Sequence, residues 1–223
     1  MVRTKTDKVD ASVIARFCRS QSPEPWHPPS PRMWELRALV RRCAALRVQE
    51  LQRRAQGTAS ALVAASLECT IASLDGEIKA ISDTVTALIQ ADDHLRTSHD
   101  LLTSIPGLGS QSAAVLLAEI SDFRAFGHNK QITAFVGLNP QDRQSGSSVR
   151  GRARISKVGN ARLRAILYMC ALTARRHNPT LKTFADRLRD TGKSPKVVLL
   201  AVARKLLVIA YGIMKTRRPF ETA

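Results

Sequence analysis

Apolar side chains return every three or four residues through most of this chain, and nowhere do they alternate with polar ones for long enough to predict a strand with one buried face. Val9, Val13, Ile14 and Phe17 predict a first helix over about 7–20. The stretch QSPEPWHPPSP then breaks the pattern: its five prolines remove backbone donors and push the preceding residues towards extended conformations, so it predicts a linker. Ser30 followed by Pro31 has the form of an N-cap with proline at the first helical position, opening an Arg-rich helix that runs to about residue 56, ahead of Gly57. Next, Leu67, Ile71, Leu74, Ile78, Ile81, Val85 and Leu88 alternate steps of four and three, the heptad seam of a coiled coil. Gly76 costs that helix about 1 kcal/mol, so packing must offset it. The seam closes on the preceding helix, on a second copy, or on both. Glycines and prolines divide the remainder into helices over about 111–121, 155–177, 181–189 and 195–215, the last capped by Ser194. The fold class expected is mainly α: long coiled-coil helices followed by a helical domain.

Charge changes this picture from scaffold to binder. Lys and Arg number 35 against 18 Asp and Glu, a formal charge of +17 with a pI near 10.8, which points to a polyanionic partner, nucleic acid first. No run is read as approaching the roughly 18 apolar residues of a membrane span, and the first residues carry no secretory signal, so a cytoplasmic protein is expected. Aromatic residues make up only 4%, too few for a base-stacking platform, which leaves backbone contacts and arginine. Cys18, Cys43, Cys69 and Cys170 lie far apart, without metal-ligand spacing, and are expected to be buried thiols. His27, His94, His99, His128 and His177 are dispersed and read as structural or exposed.

Three motifs could carry chemistry. In LLTSIPGLGSQSAAVLLAEI, Gly107 and Gly109 allow a tight turn between two helices, a helix-hairpin-helix whose second helix offers free amides to a phosphate; an ordinary helix-helix turn has the same glycines. The segment NPQDRQSGSSVRGRARISKVGNARLRA holds Arg143, Arg150, Arg152, Arg154, Lys157, Arg162 and Arg164 with no acid after Asp142. Ser145, Ser147 and Ser148 sit among its glycines in an expected flexible loop, and Ser156 stands at its edge. Such a loop supplies cations for the transition state of serine attack on a phosphodiester but no base for the serine proton, so composition alone favours a phosphate grip. Finally, Asp7 and Asp10 share a helix face and could hold a divalent ion, although Asp7 as cap and Asp10 in the first turn is the simpler reading.

In order and spacing, KTDKVDA, the heptad seam, IPGLG, FVGLNPQDRQSG and ISKVGNARLR resemble the IS-one-ten family of insertion-sequence transposases over essentially the whole chain. The resemblance implies a resolvase-like α/β domain with a DEDD set of four acids, a coiled-coil arm for dimerisation and a C-terminal domain with a catalytic serine. It puts Asp7 and Asp10 on the last two acids, as Mg²⁺ ligands, which reverses the preference for simple capping. The serine of the family's Ser-Gly motif falls on Ser145, with Ser156 in reserve. It further implies a covalent phosphoserine link to DNA, strand exchange, and guidance by a noncoding RNA. Residues 1–21 then end the resolvase-like domain, 22–31 form the linker, 32–93 the arm, and 94–223 the C-terminal transposase domain with its helix-hairpin-helix and Ser-Gly loop. In the family the first two acids precede the KTDKVDA helix, whereas six residues precede Asp7 here, so a truncated protein that cannot assemble the metal site alone is expected. The competing expectation is a noncatalytic DNA- or RNA-binding fragment that regulates an intact transposase.

Overall fold

The computed structural model describes residues 6–23, 28–145, 149–156 and 158–221; for 141–145 and 149–154 the description is of the backbone. Its contacts divide the chain into two compact units, Met1–Ser30 and Pro31–Ala223.

The first unit holds one helix, α1 (Asp7–Gln21). Its cap is Thr6, whose Oγ1 accepts from the Val9 amide at 3.4 Å, so the capping role considered for Asp7 belongs to the residue before it. No α1 residue is buried; Val13, Ile14 and Phe17 are exposed within this unit.

The second unit opens with two antiparallel helices, α2 (Pro31–Arg54) and α3 (Ala61–Gln90), packed side by side. Ion pairs set their register: Arg32 with Asp92 at 3.1 Å, Arg42 with Glu77 at 2.8 Å and Arg54 with Asp75 at 2.8 Å. Exposed pairs of this kind each contribute less than about 1 kcal/mol, so they specify alignment more than they stabilise. The seven seam residues from Leu67 to Leu88 are all half-buried, because α2 covers one flank of the seam and leaves the other open.

The remaining helices are α4 (Asp93–Thr103), α5 (Ser110–Ile120), α6 (Asn129–Val136), α7 (Ala161–His177), α8 (Pro179–Asp190) and α9 (Pro195–Thr216), with a 3-10 turn at Phe123–Ala125. Leu36, Val40 and Ile89 of the helix pair belong to the same buried cluster as this domain. At its centre lies α9, packed against α4, α6, α7 and α8 and burying Val198, Val202, Leu206, Leu207 and Ala210 among others. Against the expectation that no run would suffice, α9 is long and apolar enough to cross a bilayer by length and composition. Its apolar faces are instead covered by neighbouring helices, at roughly 1.5–3 kcal/mol for each large side chain buried.

Two further expectations are corrected. The segment read as a flexible loop running into a helix from residue 155 is a two-stranded antiparallel ribbon, β1 (Pro140–Ser145) and β2 (Val149–Ile155), and α7 starts only at Ala161. The ribbon escapes a hydrophobicity pattern because PQDRQS has no apolar alternation and VRGRARI sets its arginines against Val149, Gly151, Ala153 and Ile155, two of which are too small to mark an apolar face; backbone pairing defines it, with an irregularity between Gln141 and Arg143. Of the cysteines, only Cys170 is buried; Cys18 and Cys69 are exposed and Cys43 is half-buried, since the faces of α1 and α3 that carry the first two are not covered within their units.

Candidate nucleic-acid interface

The foot of the ribbon is where the sequence motifs converge. At its base Asn139 and Ser156 face each other: the Ser156 amide donates to the Asn139 carbonyl at 3.0 Å, and the Ser156 hydroxyl donates to Asn139 Oδ1 at 2.7 Å. One turn further, the Asn160 amide donates to the Phe135 carbonyl at 3.0 Å, tying the start of α7 to the end of α6. Gly159, at φ 129°, permits that approach: a Cβ there would collide with the Phe135 carbonyl oxygen. The Asn160 side chain then caps α7, accepting from the amides of Arg162 at 3.0 Å and Leu163 at 3.1 Å. FVGLN and SKVGN are therefore the two halves of one clamp.

Beneath this clamp lies Glu119, in the last turn of α5. Its side chain is only 2% exposed, and Arg41 of α2 holds both of its oxygens, Nε to Oε1 at 2.9 Å and Nη2 to Oε2 at 3.0 Å. Asn160 Nδ2 donates to Oε2 at 2.8 Å. The Arg41 hydrogen bonds pull the carboxyl below its ordinary pKa, outweighing burial, and the Asn160 hydrogen bond and the charge of Arg162 act in the same direction. At the same helix end, Arg37 donates to the Ala118 carbonyl at 2.8 Å and to Ser121 Oγ.

Ser145 occupies the last paired position of β1, opposite Val149, with Arg143 two residues before it; Arg150, Arg152 and Arg154 follow on β2. The side chains of these five residues, and Ser147, Ser148 and Lys157 entirely, lie outside the described residues. Arg162 is exposed at the start of α7. Arg164, one of the expected DNA contacts, is half-buried and donates from Nη1 to the Val136 carbonyl at 2.9 Å, bracing the end of α6.

The helix-hairpin-helix glycines sit elsewhere. Gly107, at φ 101°, rests on α7, where a Cβ would overlap the Ala174 Cα. Gly109 is exposed, opens α5 without a side-chain cap bond, and has no atom within 4 Å of a built Cβ. Since α5 reaches Glu119 at one end and Gly109 at the other, roughly 15 Å of helix separates the ribbon foot from the α5 amides. Buried His99 flanks that helix start, with Nε2 at 3.1 Å from Ser110 Oγ; His94, His128 and His177 are exposed, and His27 lies outside the described residues.

Asp7 and Asp10 stand in the first turn of α1, in the other unit, Asp7 exposed and Asp10 half-buried. Among the described residues no group of three or more His, Cys, Asp or Glu is gathered closely enough to hold a metal ion. The residues that sequence reasoning missed are Arg41, Glu119, Asn139 and Asn160. Asn160 had a signal, an N-cap residue directly before a helical pattern; Glu119 had another, a lone acid closing the apolar run AVLLAEI.

Comparison with known proteins supplies the family. The family model described as the transposase IS116/IS110/IS902 family matches residues 99–186. Over 228 aligned residues the chain is 31% identical to the pilin gene-inverting protein of Moraxella bovis, an alignment covering 99% of this chain and 69% of that protein; the pilin gene-inverting protein of Moraxella lacunata matches to the same extent. A protein of insertion element IS110 from Streptomyces coelicolor is 28% identical over 70% of this chain and 39% of its own length. With a clamp built from its most distinctive motifs and a relative aligned across nearly all of it, the chain belongs to the IS116/IS110/IS902 family of insertion-sequence transposases.

Proposed function

We propose that this chain grips the nucleic-acid backbone with its Arg-rich ribbon and the start of α5, and exchanges DNA strands through Ser145. The observation that carries the reading is the position of Ser145 at the end of a paired ribbon whose strands also carry Arg143, Arg150, Arg152 and Arg154. In this reading the serine oxygen bonds to a phosphodiester phosphorus as the bond to a flanking sugar oxygen breaks, the serine proton passes to water, the departing sugar oxygen takes a proton from water, and the arginines balance the charge gathered on the phosphoryl oxygens. Ser156 is the weaker nucleophile, because its hydroxyl is already spent on Asn139. Lys157 and Arg162 extend the basic track. The exposed Gly109 leaves the α5 amides open to a second phosphate, at the end of α5 away from the ribbon foot. Pilin gene inversion, named for the Moraxella relatives, is a rearrangement of DNA, which supports recombination as the activity.

A noncoding guide RNA is the second polyanion proposed for the same positive field, and a second copy is proposed to cover the α3 seam, whose residues are only half-buried against α2. Mg²⁺ favours six oxygen ligands. Asp7 and Asp10 bring two carboxylates one turn apart and no third joins them among the described residues, so these residues do not make a metal site by themselves and no step here runs through one. That observation favours a second reading, a chain that binds without cutting.

One experiment separates the readings. Labelled duplex is incubated with the full chain and Mg²⁺, and both salt-dependent binding and denaturant-resistant protein-DNA adducts are scored for wild type and Ser145→Ala. Strand exchange predicts steep salt dependence for both proteins and an adduct from the wild type only. Binding with no adduct from either establishes the binding-only reading, and an adduct that survives Ser145→Ala removes Ser145 from the chemistry.

A further inference from the structure

Glu119 is out of keeping with its surroundings. The chain carries a net charge of +17, and among the described residues no other carboxylate is buried. Stability does not account for it: a buried ion pair replaced by apolar side chains of similar volume is often neutral or stabilising, because desolvation offsets the attraction. What the carboxylate provides is geometry. Its two oxygens accept three hydrogen bonds from two side chains far apart in sequence, the forked guanidinium of Arg41 on α2 and the amide of Asn160 at the head of α7. Charge-assisted bonds of this sort are directional, and the Arg fork fixes an orientation that a greasy contact would not.

Asn160 makes the connection specific. Its Oδ1 accepts from the amides of Arg162 and Leu163, its backbone N–H donates to the Phe135 carbonyl, and its Nδ2 donates to Glu119, so both polar atoms of the side chain and the backbone N–H are engaged. Four residues earlier is Ser156, which closes the foot of β2 on Asn139. We propose that Glu119 is a positioning residue for the ribbon: through Asn160 it fixes the head of α7 and the foot of β2, and through Arg41 it ties that foot to the α2–α3 helix pair. Only what the ribbon does once positioned rests on the function proposed above.

The test exchanges the donor and acceptor roles. Asp caps a helix as well as Asn does, so if Asn160 served only as a cap, Asn160→Asp would be harmless. If it is held by Glu119, Asn160→Asp sets two carboxylates against each other, and the double variant Glu119→Gln with Asn160→Asp restores one donor facing one acceptor at that contact while leaving Arg41 the Oε1 acceptor. Amide hydrogen exchange is followed at Ser156, Asn160, Arg162 and Leu163, with Leu206 and Ala210 of α9 as the control for global unfolding. The expected result is a loss of protection of about tenfold or more at the foot in Asn160→Asp, none in α9, and recovery to within about twofold of wild type in the double variant. Unchanged protection in Asn160→Asp, parallel loss at the foot and in α9, or no recovery in the double variant would overturn the proposal. Duplex affinity is measured on the same proteins. Failure of the wild type to bind would count against the proposed function and leave the exchange result standing, whereas binding that weakens several-fold in Asn160→Asp and returns in the double variant joins the two.

Discussion

Gly107 and Gly109 stand two residues apart in one motif, yet the structure gives them different work, and alanine separates them. At Gly107, φ is 101°, outside what an L-residue adopts readily, and the new methyl would overlap the backbone of Ala174 in α7. Backbone strain of this kind costs about 1–3 kcal/mol, and an extra methyl in a packed contact about 1–3 kcal/mol more, so Gly107→Ala is expected to lose roughly 2–6 kcal/mol. For a unit of this size each kcal/mol lowers Tm by about 2–4 °C, so a fall of at least about 4 °C should appear in a thermal melt followed by circular dichroism. Gly109→Ala meets nothing within 4 Å at φ −81° and loses only the modest preference for Gly over Ala at an N-cap, so its Tm should fall by no more than about 2–3 °C. Its effect should appear instead in duplex affinity, because the methyl lies beside the open amides of α5. A Gly107→Ala protein melting within about 1 °C of wild type, or a Gly109→Ala protein melting as low as Gly107→Ala, would refute this division of labour.

Two further expectations follow from the clamp. Because the folded Glu119 carboxyl lies below its ordinary pKa, chiefly through Arg41, its contribution is complete above the unfolded value of about 4.3 and is lost as pH falls through the folded one; melts of wild type and Glu119→Gln should therefore draw together as pH falls below about 4.3. Asp92, lowered first by the Leu95 amide and then by Arg32, weakens both proteins alike over that range and serves as the common background. The arginines of α7 should divide as well: Arg162→Ala should reduce the slope of log affinity against log salt by about 1 while leaving stability within about 0.5 kcal/mol, whereas Arg164→Ala, which strips the Val136 carbonyl of its partner, should cost about 1–3 kcal/mol of stability by chemical denaturation.

The helical skeleton was legible because its signals are local. Pro31 and Pro195 each open a helix, and the heptad seam from Leu67 to Leu88 lies inside a single one. α6 was overlooked, at eight residues too short for a period to register, and the ribbon because its one alternation, arginine against Val149, Gly151, Ala153 and Ile155, is short, half made of small residues and paired with a wholly polar strand. The clamp was out of reach for a different reason. Arg41 and Glu119 are 78 positions apart and Asn160 a further 41, and no local pattern says that three polar residues on three elements will share one point. Gly107 shows the same limit at closer range: a glycine required by a turn and a glycine required by a neighbouring helix look identical until Ala174 is in view. The candidate site was thus readable as a list of charged and hydroxyl side chains, but not as a device with a base.

That device is a tool mounted on a handle. Asn139, Ser156 and Asn160 hold the two strands of the ribbon, PQDRQS and VRGRARI, at its foot. The hydrogen bonds of the foot belong to residues outside both strands, so they do not depend on which side chains the strands carry. On this plan the eight polar positions of the two strands can be redrafted without touching the residues that fasten the ribbon to the helices.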